Sequence, residues 1–183
     1  EYSAGASGEI NPQLDAVFRH AMSKDLNVVL FGMWQDGPTI ARDVVDPIAK
    51  EMGKVYGKDY VNLGYKPGTT SALRTMVTDV WAGSANVDIN GTPLSSLPLM
   101  DRVRTIGPKT IDAVIVYSSG SPGDGDYLTY WTDQYGMTLL TCQVAVQVTS
   151  RMPYLQSGQH KGMVPGLAGA AEYEKLINSP SVA

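Results

Sequence analysis

The stretch IDAVIVYSS, residues 111–119, decides the fold class of this 183-residue chain. It is rich in β-branched residues and carries no charge after Asp112, which is typical of a strand covered on both faces. Similar apolar runs occur at NVVLFGMW (27–34), DYVNLGY (59–65) and MTLLTCQVAVQV (137–148). We therefore predict strands over residues 27–33, 59–64, 111–118 and 137–146.

Helical periodicity fills the segments between these runs. In residues 11–25, Asn11 suits an N-cap, Pro12 suits the first helical position, and one face would carry Leu14, Val17, Phe18 and Met22. Further helices are predicted over 38–57, 70–81, 125–136, 149–158 and a last segment that includes Gly162, Pro165 and 166–178. Alternating strands and helices predict a three-layer α/β/α sandwich, Rossmann-like or flavodoxin-like, with a mainly parallel sheet of at least four strands.

The length is that of a single domain with a sizeable core. We expect a flexible N-terminal segment over residues 1–10, one α/β domain over 11–178 and a C-terminal tail over 179–183. Residues 82–108 are expected to form an irregular insertion, in which INGTPL (89–94) would make a turn or a short hairpin.

Composition excludes some classes of function. The net charge of −4, without a basic stripe, argues against nucleic acid as a partner. The single cysteine, Cys142, rules out an internal disulfide, and its place in an apolar run predicts a small buried hydrophobe. The sequence has no paired-histidine or CxxC spacing, so we predict neither a metal site nor a cofactor.

The candidate site follows from the strand order, because open parallel sheets bind ligands beyond the carboxyl ends of their strands. MWQDGPT (33–39), GYKPGTT (64–70) and YSSGSPGDGD (117–126) would all lie at that edge. We expect a small anionic ligand there, with Lys66 as the fixed cation and backbone N–H groups around it. The predicted contacts are Trp34, Gln35, Asp36, Lys66, Thr69, Thr70, Ser119 and Ser121.

GYKPGTT has two interpretations. It lacks the spacing of a triphosphate-binding loop, because Lys66 precedes the second glycine. It is either a strand-to-helix turn in which Thr69 or Thr70 caps the helix, or a small anion site.

The remaining polar residues give weaker signals. Asp124 and Asp126 could begin a cation site, but no EF-hand continuation follows, so a solvated cap for the next helix is favoured. His20 is expected at the surface. His160 lies in a polar loop, and no serine or cysteine motif accompanies it. These residues favour binding over catalysis.

Four segments carry a family resemblance: GKDYVNLGYKPG (57–68), GTPLSSLPLM (91–100), SSGSPG (118–123) and PYLQSGQHKGMVPGLAGAAEYEKL (153–176). In these the chain resembles a family of uncharacterised prokaryotic membrane-anchored proteins, for which no catalytic residue or ligand is established. The resemblance implies an apolar anchor before the domain and a transmembrane helix after it. It therefore implies a membrane-associated, extracytoplasmic location in the cell envelope, although neither hydrophobic flank is present here.

Three functions from different classes follow as expectations. The first is a non-catalytic envelope domain that binds a small ligand or a membrane partner. The second is a self-assembling structural subunit, favoured by the low surface charge and the ten tyrosines. The third is an enzyme acting on a small anionic substrate, which requires titratable residues to converge where the strands end.

Overall fold

The computed structural model describes residues 1–178 and has an α/β fold with parallel strands. The predicted tail at 179–183 lies outside these residues. The strands are β1 (Val28–Gly32), β2 (Tyr60–Tyr65), β3 (Val114–Ser118), β4 (Leu139–Gln143) and β5 (His160–Pro165). The helices are α1 (Ser7–Ser23), α2 (Gly37–Glu51), α3 (Thr70–Thr78), α4 (Val80–Gly83), α5 (Asp124–Tyr127), α6 (Asp133–Tyr135), α7 (Val148–Gln156) and α8 (Gly166–Leu176).

The strands form two sheets. β1 pairs with β2, and β4 pairs with β3 on one side and β5 on the other, always in parallel. The predicted α/β class with parallel pairing is confirmed. The hydrogen-bonded ladders form a two-stranded and a three-stranded sheet, and not the predicted single sheet of at least four strands. Within residues 1–178 no ladder joins β1 to β3. Just beyond these strands, the Met33 N–H donates to the Glu1 carboxylate and the Ser119 N–H donates to the Glu1 carbonyl.

The strand β5 was missed by the sequence analysis, which placed Gly162 and Pro165 in the last helix. Gly162 lies close to Leu140 of β4, since a Cβ on it would approach the Leu140 side chain to 3.2 Å. Pro165 ends the strand, opposite Gln143, where a missing N–H is tolerated. The helix α8 starts only at Gly166.

The N-terminal residues pack on the domain. We expected residues 1–10 to be flexible and a helix to begin near Asn11, but α1 begins at Ser7, and Glu1 and Tyr2 are buried. The predicted apolar face of α1 is confirmed, because all four of its residues are buried: Leu14, Val17, Phe18 and Met22.

Three hydrophobic clusters form the core of the described residues, the smallest of them being Tyr2, Ile10 and Val144. One lies between α1, α2 and the β1–β2 sheet, and Tyr117 of β3 packs against it together with Val28 and Leu30 of β1. The larger cluster contains residues of both sheets, including Leu63 and Val116. The two sheets therefore share one core.

The insertion at 82–108 supplies part of the larger cluster. Its buried members are Leu94, Leu97, Leu99, Met100, Val103 and Ile106. The turn predicted at INGTPL is present: an antiparallel bridge joins Val87 to Pro93, and the Asp88 carboxylate accepts from the N–H groups of Asn90 and Thr92. The predicted helix at 70–81 is divided at Asp79, whose carboxylate caps α4.

Candidate functional site

The ends of β1 and β3 meet around Glu1, which is 7% exposed. Both carboxylate oxygens of Glu1 accept from the backbone N–H of Met33, at 3.0 and 2.9 Å. The Tyr127 hydroxyl donates to Oε1 at 2.6 Å, and the Ser119 N–H donates to the Glu1 carbonyl at 3.1 Å. Three separate elements thus supply neutral donors to one residue. We use the name β1–β3 crevice for the group of residues Met33, Trp34, Ser119 and Tyr127.

The donors are fixed by packing. Met33 directly follows β1, and its side chain belongs to the larger core cluster. The Tyr127 ring meets Trp131 edge-on at a centroid distance of 5.0 Å and lies 6.2 Å from Phe31. Burial raises the pKa of Tyr127 well above its usual range, and the neighbouring Glu1 carboxylate raises it further. Tyr127 therefore keeps its proton and remains a donor.

Trp34 holds the loop that follows β3. Its Nε1 donates to the Pro122 carbonyl at 2.9 Å. Gly120 lies against the indole, since a Cβ on it would come within 3.0 Å of the ring. The structure therefore brings Trp34 to the Ser119–Pro122 loop, which carries the predicted contacts Ser119 and Ser121. The other two residues predicted at the end of β1, Gln35 and Asp36, are exposed.

Lys66 bonds to the backbone of β1 and β2 and not to Glu1. Its Nζ donates to the carbonyl of Leu63, and its backbone N–H donates to the Gly32 carbonyl at 2.7 Å. The residue is only 6% exposed, and burial lowers the pKa of its ammonium group. It lines a separate open groove of about 540 Å³ together with Asp88. Within residues 1–178 no carboxylate forms an ion pair with Lys66.

GYKPGTT forms a strand-to-helix turn with two successive positive φ angles, 93° at Gly68 and 33° at Thr69. The prediction that Thr69 or Thr70 caps α3 is wrong, because no side chain makes the cap bond. The Ser71 hydroxyl instead donates to the Gly68 carbonyl at 2.8 Å. Thr70 reaches the Tyr130 hydroxyl at 3.3 Å. Thr69 therefore forms part of the turn, and Thr70 contacts Tyr130.

A second polar group was not predicted from the sequence. The Asp124 carboxylate lies 2.9 Å from Arg151 Nε and 3.3 Å from His160 Nε2. The side chains of Asp124 and His160 are fully buried, and that of Arg151 is 21% exposed. We call these three residues the Asp124 cluster. Asp124 is therefore not the solvated cap that we expected, whereas Asp126 does cap α5 by accepting from the Gly123 N–H at 2.9 Å.

The Asp124 cluster is held mainly by charge. Neither carboxylate oxygen of Asp124 and neither ring nitrogen of His160 has a well-directed hydrogen bond in the described chain. The pKa of His160 is lowered, mainly by burial. The Asp124 carboxylate opposes this shift, and the Arg151 guanidinium adds to it. No hydroxyl or thiol within residues 1–178 hydrogen-bonds to His160, so the cluster lacks the arrangement of an activated nucleophile.

The other histidine also differs from expectation. His20 was predicted at the surface, but its Nδ1 lies 2.6 Å from the Tyr173 hydroxyl and so links α1 to α8. Cys142 is buried as predicted, and burial strongly raises the pKa of its thiol. In the described part of the chain, no group of three or more His, Cys, Asp or Glu side chains is placed to hold a metal ion. Over the same residues, no helix has the length and apolar character needed to cross a bilayer.

Comparison of the chain with protein-family models, with curated proteins and with solved structures gives no match.

Proposed function

We propose that this domain binds a small carboxylate-bearing ligand in the β1–β3 crevice and performs no chemistry on it. The observation that carries the proposal is the buried Glu1 carboxylate, which accepts hydrogen bonds from Met33 and Tyr127. A group of donors that accommodates one carboxylate can accommodate another of similar size. Hydrogen bonds to an ionised acceptor are the strong ones, and burial strengthens them further.

The three-layer sandwich predicted from the sequence supports a binding site between β1 and β3. We propose that the two sheets are halves of one three-layer sandwich with the strand order β2–β1–β3–β4–β5. The shared packing of Tyr117 with Val28 and Leu30 supports this order. In such an order, successive strands are added to one side of β1 first and then to the other, so the strand order reverses between β1 and β3. Ligand sites in open parallel sheets lie at such a reversal.

The proposed setting is the outer surface of a prokaryotic membrane, and it rests on the family resemblance alone. The ligand would then be a solute or part of a neighbouring membrane protein. Protease accessibility in intact cells, applied to the complete gene product, tests this setting. The homo-oligomer and enzyme alternatives remain predictions from the sequence.

A chemical-rescue experiment tests the binding site. Glu1→Ala removes a CH₂–COO⁻ group, which acetate closely matches. We expect acetate to raise the melting temperature of the Glu1→Ala protein in a saturable way, relative to chloride at the same ionic strength. The parent protein, whose own carboxylate fills the position, should respond much less.

Two variants in the Glu1→Ala background serve as controls. Adding Tyr127→Phe removes a donor and should weaken the acetate effect about tenfold or more, since a hydrogen bond to a charged group contributes about 1.5–3 kcal/mol. Adding Lys66→Met should leave the acetate response within about twofold, because Nζ points to the Leu63 carbonyl. Equal acetate responses with and without Tyr127→Phe would contradict the proposed site.

A further inference from the structure

We infer that the ligand class of the β1–β3 crevice is a five-carbon dicarboxylate, and that Glu1 is its intramolecular stand-in. This inference rests on the proposed function. It adds the length of the ligand and the competitor that the ligand must displace.

The length of the ligand follows from the two acceptor groups of Glu1, its carboxylate and its carbonyl. The Glu1 carboxylate receives hydrogen bonds from Met33 and Tyr127, and the Glu1 carbonyl receives one from the Ser119 N–H. In a glutamyl residue, three saturated carbons separate these two groups. Glutarate and its 2-oxo, 2-hydroxy and 2-amino derivatives have the same skeleton. Succinate is one carbon too short to reach both sets of donors in this arrangement, and adipate is one carbon too long.

The second carboxylate would also have a favourable position. The Tyr2 backbone, which follows the Glu1 carbonyl directly, lies against Gly37, the first residue of the 15-residue helix α2. A Cβ at Gly37 would come within 3.3 Å of the Tyr2 carbonyl oxygen and 3.8 Å of its nitrogen, so a side chain at this position would crowd the Tyr2 backbone. A carboxylate in place of the Glu1 carbonyl, which is bonded to the Tyr2 nitrogen, would lie close to the N-terminus of α2, where the helix dipole favours negative charge.

The same contacts make Glu1 a competitor. A ligand with this skeleton must displace Glu1 and the adjoining part of Tyr2, which is 2% exposed and donates to Asn11 at 3.0 Å. Removing the Glu1 side chain eliminates the carboxylate anchor and frees the Met33 and Tyr127 donors, whereas the carbonyl of residue 1 still accepts from the Ser119 N–H until the ligand displaces it. The Glu1→Ala protein should therefore bind the ligand more tightly than the parent does.

The experiment uses succinate, glutarate and adipate with the parent and Glu1→Ala proteins, at constant ionic strength and pH. Binding is followed by the amide resonances of Met33 and Ser119. We expect glutarate to bind the Glu1→Ala protein about tenfold more tightly than the parent, the equivalent of one charge-assisted hydrogen bond. Glutarate should shift both amides, and acetate should shift Met33 alone.

The outcomes distinguish a failure of the five-carbon ligand class from a failure of the proposed function. If acetate binds the Glu1→Ala protein but the three dicarboxylates bind equally, or if glutarate leaves Ser119 unshifted, the ligand class is wrong and the proposed function stands. If the parent binds glutarate as tightly as the variant does, Glu1 is not a competitor. If neither acetate nor glutarate binds the Glu1→Ala protein, the proposed function itself fails.

Discussion

Glu1 and Asp124 are both buried carboxylates close to the ends of strands, but the protein holds them in different ways. Glu1 is bound by neutral donors, the Met33 N–H and the Tyr127 hydroxyl, at normal hydrogen-bond distances. Asp124 lies between Arg151 and His160, and neither of its oxygens has a well-directed hydrogen bond in the described chain.

The difference supports the proposal that Glu1, and not Asp124, marks a binding site. A backbone N–H and a packed tyrosine stay in place when the carboxylate leaves, so another carboxylate can use them. In the Asp124 cluster, each charge depends on the other, because removing one partner leaves a buried charge without compensation. The first arrangement suits exchange with a ligand, and the second suits a permanent structural role.

The largest expected effect is therefore in the Asp124 cluster. Arg151→Met keeps most of the aliphatic side chain but leaves the Asp124 carboxylate beside a neutral histidine. We expect the free energy of unfolding to fall by about 3 kcal/mol, as is typical when a buried ion pair loses one partner. Urea unfolding at neutral pH measures the loss.

The matched control is Arg42→Met, because the Arg42–Asp43 pair is exposed and its charged atoms are 3.6 Å apart. Exposed pairs contribute about 1 kcal/mol or less. The double variant Asp124→Asn, Arg151→Met should recover part of the loss, since it buries no charge. Equal losses for Arg151→Met and Arg42→Met would mean that charge pairing does not hold the cluster together.

A smaller effect is expected at the β1–β3 crevice. Tyr127→Phe removes the donor to Glu1 but keeps the ring that packs on Trp131. The unfolding free energy should fall by about 2 kcal/mol, because the lost bond has a charged acceptor. Tyr2→Phe, which removes a bond to the neutral Asn11 amide, should cost about 1 kcal/mol and serves as the control. If Tyr2→Phe cost more than Tyr127→Phe, Glu1 would not be held as described.

The smallest effect is the pH dependence due to His160, which faces Asp124, Arg151 and the Tyr154 ring. Burial lowers its pKa in the folded protein below the ordinary 6.5, so below pH 6.5 the unfolded chain binds the proton more readily than the folded one. This contribution makes stability fall as the pH drops from 6.5 towards the folded pKa, by at most about 1.4 kcal/mol per pH unit.

His160→Gln removes this titration. Unfolding free energies of the parent and the variant at pH 7.5 and pH 5.5 isolate the contribution of His160, because the carboxylates are common to both proteins. The variant should lose less stability on acidification than the parent does. A larger loss in the variant would mean that His160 gains its proton on folding, as a cation paired with Asp124.

Local patterns predicted much of the fold. Four runs of β-branched and apolar residues gave four of the strands, and the spacing of Leu14, Val17, Phe18 and Met22 gave the buried face of α1. β5 was missed because Gly162 and Pro165 have low strand propensity in isolation. Pairing with β4 makes them a strand, and that pairing is a tertiary contact.

The sequence predicted that the loops after β1 and β3 come together, and Trp34 does contact the loop that carries Ser119 and Ser121. That a ligand binds there, as the rule for parallel sheets suggests, stays a prediction. The direction of the Lys66 side chain could not be predicted, because it depends on the burial of Lys66 and on its bond to the buried Leu63 carbonyl. The donors that hold Glu1 could not be predicted either, since Met33 and Tyr127 are 94 residues apart and each contacts residue 1 only after folding.

The sequence by itself determined the class of the fold and the edge at which the loops gather, because both depend on hydrophobic periodicity and on the handedness of short connections. The tertiary structure decided which groups meet. Glu1 bonds to the ends of two strands, and Asp124 joins residues from α7 and β5. Such contacts follow from packing between distant segments, which no local pattern encodes.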